Sequence, residues 1–124
     1  MTIALGQRTF NFGLKTPAEN AEQVEVIIRD HATFMKENHS LNDGKIHLIH
    51  YYVSKSEELN NPLDPEQGTT GNMLYIINEV YAQPEGIGQH MDAAMKWNGL
   101  QKFIELLETY GEVVILDGEV IEVL

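Results

Sequence analysis

His90 stands three residues after Ile87 and one before Met91, on the border of an apolar helix face. A neutral imidazole there can accept a proton near pH 7 or ligate a metal; packed under a sheet, it is only a hydrogen-bonding core residue. Tyr81 shares a strand face with Glu79, Ile77 and Tyr75, because alternate strand residues point the same way. A carboxylate on such an apolar face is costly to bury unpaired. Glu79 therefore lies at an open sheet end or meets a partner such as His90, Arg8 or Arg29. His31 falls in line with Val24, Ile28 and Met35 on an earlier helix. It is either a satisfied core histidine or a group facing His90 across a pocket. Trp97, the only tryptophan, is a pocket wall or a packing residue at a helix break.

Other chemistries find less support. His47 and His50 are three apart on a strand, which by simple alternation places them on opposite faces. No structural metal is expected. The chain has no cysteine, hence no thiolate nucleophile, disulfide or Cys-ligated metal. Gly86-x-Gly88 lacks the third glycine of a dinucleotide loop, Met91 standing in its place. No nucleophile elbow or phosphate-binding loop is present. Eight Lys and Arg against nineteen Asp and Glu give a net charge of -11, which argues against nucleic acid and anionic membrane as partners.

The elements that must position these side chains follow from pattern. The 124 residues suit one domain spanning 1–124, with 43% hydrophobic residues to fill its core. No targeting or membrane-spanning segment is visible, so a cytoplasmic protein is expected. Residues 9–14 read as a strand, with Phe10 and Phe12 on one side and Thr9 and Asn11 on the other; residues 2–5 suggest a short extra strand. Thr16-Pro17-x-Glu19 reads as a capping box opening a helix to about His39. Asn42-Asp43-Gly44 reads as a turn. Strands are expected over 45–56 and 72–83, joined by a long, mobile acidic loop at 57–71 that covers a pocket or reaches another subunit. A helical region begins near Pro84, breaks at Asn98-Gly99, resumes at Leu100 and is capped by Gly111. Asp117-Gly118 predicts a terminal hairpin.

That order, β-α-β-β-α-β plus a hairpin, is the α+β ferredoxin-like split βαβ plan. Ile46, Leu48, Ile49, Tyr51, Tyr52 and Val53, and all of 73–77, are apolar on both strand faces. Helices cover one face of such a sheet. The other calls for a cover, and a second copy of the sheet, packed face to face, is the simplest.

Glu79-x-Tyr81, followed by His90 on the next helix and by the Phe- and Leu-bearing segment 97–107, resembles the antibiotic-biosynthesis monooxygenase family of the dimeric α/β-barrel superfamily. Tyr81 stands where many members have Trp. The resemblance implies a homodimer and a pocket between sheet and helices for a small apolar, aromatic or quinone-type molecule. It implies oxygenation without metal or flavin, with Asn, Tyr and His side chains positioning the substrate and taking its proton. Carried onto this chain, those are Asn11, Tyr81 and His90 as catalytic groups, with Ile77, Glu79, His31 and Trp97 around the substrate. Asn11 would hydrogen-bond the substrate oxyanion. A related branch binds and degrades haem through a helix histidine, so haem is the alternative cofactor. A non-catalytic ligand-binding or dimerisation module is the alternative from another class.

Overall fold

The computed structural model describes residues 2–40 and 45–124; the turn expected at Asn42-Asp43-Gly44 lies outside them. Strand β1 (Arg8–Pro17) leads through a single 3-10 turn (Ala18–Asn20) into helix α1 (Ala21–Asn38) and a two-residue strand β2 (His39–Ser40). Long strands β3 (Ile46–Leu59) and β4 (Thr69–Tyr81) follow, then helices α2 (Gly86–Ala94) and α3 (Leu100–Tyr110), and strand β5 (Gly111–Glu119). The sheet order is β2-β3-β4-β1-β5, antiparallel except for the β2–β3 pair. The result is an α+β fold compatible with the ferredoxin-like plan.

One sheet face carries the core. Phe10, Phe12 and Leu14 of β1 and Tyr75 and Ile77 of β4 are buried with Val24, Ile28, Phe34 and Met35 of α1 and Phe103 and Leu106 of α3. Period-2 burial on β1 and β4 and period-3.6 burial on α1 meet there. Much of the opposite face is open, although Val80 on it is buried. Pairing places Tyr52, Asn78, Asn11 and Ile115 across one row of it, and Ser54, Ile76, Gly13 and Val113 across the next. Tyr52, Ile76, Val113 and Ile115 are exposed. Among the described residues, no helix is long and apolar enough to cross a membrane.

Several local expectations are corrected. Residues 2–5 form no strand. Backbone bonds from Gly6 to Val120, and from Val120 to Gln7, tie this end instead. Thr16 caps no helix. It is still paired with Met73 inside β1 and fully buried, and Asn20 takes the N-cap position without a side-chain cap. The segment 57–71 is strand at both ends, 57–59 in β3 and 69–71 in β4. Only residues 60–68 connect β3 to β4, and Asn60 and Asp64 hydrogen-bond the connection internally. The terminal hairpin is absent. β5 runs through Asp117-Gly118 and pairs on to Arg8, with a register shift between Thr9 and Asn11. Asp117 adopts φ 59°, so the dipeptide that signals a two-residue turn forms a bulge instead. A side chain at Gly118 would collide with the Thr9 hydroxyl, and Arg8 approaches Asp117 and Glu119 at 3.8 and 3.7 Å.

A second bulge matters more for chemistry. Leu48 pairs with Tyr81 but His50 pairs with Val80, so Ile49 is the extra residue. The shift sets Tyr51, rather than His50, opposite Glu79. It also breaks the alternation used above: His47 and His50 occupy register positions on the same, open face.

Candidate functional site

Four elements converge beneath the sheet. Glu79 and Tyr81 come from the end of β4, His31 from α1, His90 from α2, and His39 from the residue where α1 gives way to β2. Their exposures are 0% for Glu79 and Tyr81, 2% for His31, 3% for His90 and 6% for His39. Tyr51 completes the group from β3. Close packing places them. A side chain at Gly86 would meet the Tyr81 ring at 2.9 Å, so glycine at the start of α2 lets that helix, and His90 with it, approach the sheet.

The hydrogen bonds run as a chain. His39 Nδ1 lies 3.0 Å from the Met35 carbonyl and must donate to it. In the neutral ring His39 Nε2 is therefore an acceptor, and it takes the Nδ1–H of His90 at 3.0 Å. That leaves Nε2 of His90 as a bare acceptor. The Tyr81 hydroxyl donates to Glu79 Oε1 at 2.5 Å. His31 Nδ1 and the Tyr51 hydroxyl are 3.0 Å apart. His31 Nε2 faces Glu79 Oε2 at 3.7 Å, beyond hydrogen-bond range, and that oxygen has no hydrogen-bond partner among the described residues.

Burial governs the charge of the cluster. It pushes the Glu79 carboxyl up to about 8 against the lowering effect of the Tyr81 bond. Burial, reinforced by His90 and His39, holds His31 down to about 3. Burial, reinforced by His39, does the same to His90. His39 is lowered by burial to about 4, with the Met35 bond opposing. The Tyr51 and Tyr81 hydroxyls are pushed up by burial and then by the Glu79 charge. At neutral pH the close His31–Glu79 and His90–Glu79 approaches, 3.7 and 3.9 Å, are thus contacts between neutral groups and not ion pairs.

A cavity of about 150 Å³ opens beside the two imidazoles. His31 and His90 line it with Phe10, Phe34, Trp97 and Phe103, and Ala94 and Met95 lie along the helix side. His31 stacks on Phe103 with ring centres 4.3 Å apart, and Phe34 stacks on Trp97 at 4.8 Å. Trp97 folds over the turn between α2 and α3, and a side chain at Gly99 would run into its ring and into Asp30. A larger depression of about 540 Å³ lies on the far side of the Phe34–Trp97 stack, between α1 and α2. Glu37, Gln89, Asp92 and Lys96 line it, it is open, and it holds none of the buried cluster.

The structure brings together His31, Glu79, Tyr81 and His90, and sets Trp97 in the cavity wall. Ile77 is fully buried in the core on the same face of β4, and is not among the residues lining the cavity. Asn11 is placed elsewhere. It alternates with Phe10 and Phe12, so it lies on the open sheet face, where its Nδ2 donates to Asn78 at 3.0 Å. An oxyanion-binding role for Asn11 in this cavity is therefore corrected. Sequence reasoning missed His39 and gave Tyr51 only an apolar role. His39 has a signal: it ends α1 four residues after Met35, whose carbonyl it bonds.

No protein-family model matches the chain, and no curated protein does either. The functional reading rests on the site itself.

Proposed function

We propose that this chain takes a one-ring phenol or hydroquinone into the cavity beneath its sheet and oxygenates it. The observation that carries the reading is an aromatic-walled cavity with the imidazoles of His31 and His90 in its lining. Apolar cavities of about 150 Å³ accept a benzene-sized guest. Small-molecule sites commonly combine such walls with a few convergent polar groups. His90 Nε2, left bare by the chain from the Met35 carbonyl through His39, is the acceptor for a phenolic proton. Loss of that proton makes the ring electron-rich. Reaction with O₂ then converts a ring C–H into C=O: one oxygen atom enters the quinone, and the other leaves as water with the ring and phenolic hydrogens. The substrate supplies every electron, so the stoichiometry calls for no redox cofactor. A second copy of the chain covers the open sheet face.

Oxygen consumption with a panel of phenols and hydroquinones tests the reading, with no flavin or nicotinamide added. One O₂ consumed per quinone formed, above the rate without protein, is expected for one-ring substrates. Consumption no faster than without protein across the panel would remove the oxygenase reading and leave a ligand-binding module. The haem alternative finds no supporting observation: a porphyrin far exceeds the cavity beside His90.

A further inference from the structure

We propose that His31, Glu79 and His90 form a binding site for one divalent transition-metal ion, with His39 as an adjoining donor. Each of the three offers a ligand atom within 4.8 Å of the others. Donors held at about 2.1 Å from one ion lie about 3 to 3.4 Å apart in octahedral or tetrahedral geometry. The observed separations are His31 Nε2 to Glu79 Oε2, 3.7 Å, and His90 Nδ1 to Glu79 Oε1, 3.9 Å. The two Glu79 separations need a contraction of about half an ångström, and the widest separation in the set, up to 4.8 Å, a closure of about 1.5 Å by side-chain rotation.

A second observation points the same way. Glu79 is 0% exposed, yet its Oε2 has no hydrogen-bond partner among the described residues and faces His31 Nε2. A buried polar atom left without a partner is destabilising and uncommon, and a cation between those two atoms would satisfy both. The outer contacts also suit ligation. The Tyr51 hydroxyl holds the other nitrogen of His31. His39, anchored by Nδ1 on the Met35 carbonyl, brings Nε2 to 3.0 Å from His90 Nδ1, itself the spacing of two donors on one ion. For His90 to bind through Nδ1, its proton moves to Nε2, a change of tautomer without change of charge, and the ion displaces the Glu79 carboxyl proton to solvent. Two or three imidazoles and a carboxylate select an ion of the manganese-to-zinc series over calcium or magnesium, which take oxygen donors. In the tautomer that binds the ion, His90 Nε2 carries a hydrogen and no longer accepts a phenolic proton, so the proposed oxygenation belongs to the ion-free chain.

Cobalt(II) is the probe, because its visible ligand-field bands report nitrogen coordination. Tag-free, chelator-treated full-length chain, titrated with cobalt chloride, should bind one Co²⁺ per chain with such bands. Glu79→Gln and His31→Gln should each weaken binding by about 100-fold or more, and His50→Asn, on the exposed face, should not change it. No saturable spectrum, or binding that survives Glu79→Gln and is lost in His50→Asn, would overturn the proposal. If either core variant fails to fold by circular dichroism, paramagnetic broadening of the unaltered chain decides. Broadening centred on the His31 and His90 rings supports the site, and broadening centred on His47 and His50 overturns it. Oxygen uptake and cobalt binding are separate readouts, so either reading can fail without the other.

Discussion

Replacing His90 with alanine should lower oxygen-dependent turnover of a one-ring phenol by about 10²-fold or more, the usual worth of a positioned acid–base group. The chain should stay folded. The imidazole is buried, but it packs edge-on against Phe10 and Phe34, with ring centres 5.5 and 5.7 Å away, and its loss enlarges an existing cavity and does not strand a charge. His39 loses one partner and keeps its bond to Met35. Initial rates for folded wild-type and variant chains, compared at saturating phenol, check this. An unchanged rate would reduce His90 to a packing residue and end the acid–base account.

Ile76→Asp should convert a dimer into a monomer. Light scattering should give twice the 14.0 kDa chain mass for the wild type and the single chain mass for the variant. Ile76 is 49% exposed and Tyr52 55% exposed on the sheet face opposite the core. On a lone chain, aspartate there is a surface change of small cost. Between two packed sheets it would be a buried, unpaired charge. Exposed apolar faces of this kind mark interfaces in soluble proteins. A wild-type chain that scatters as a monomer would show that the open face meets solvent and would remove the face-to-face arrangement.

Much of this architecture is legible in the sequence, and the exceptions have physical causes. The apolar stripe through Val24, Ile28, His31 and Met35 marks both the helix and the histidine it turns inward. Glu79 and Tyr81 announce themselves as polar groups on an apolar strand face, and the structure finds both fully buried on that face. Strand alternation also places Asn11 opposite Phe10 and Phe12, on the open face; carrying a family position onto it sets that geometry aside. What pattern cannot foresee is a change of register. One extra residue at Ile49 decides that Tyr51 stands beside Glu79, and one at Asp117 turns a hairpin signal into a continued strand. Thr16 shows local capping chemistry overridden by pairing, since its bonds to the neighbouring strand outlast the helix signal. His39 was hidden because its role depends on α2 arriving from 51 residues away.

A single aromatic ring is expected to occupy the cavity beside His31 and His90. Trp97, the only tryptophan of the chain, stands in that cavity wall, so its fluorescence reports the site directly. Titration of the wild-type chain with hydroquinone should change Trp97 emission saturably, with one ligand bound per chain. Emission that falls only in linear, collisional fashion, or does not change, would contradict the account.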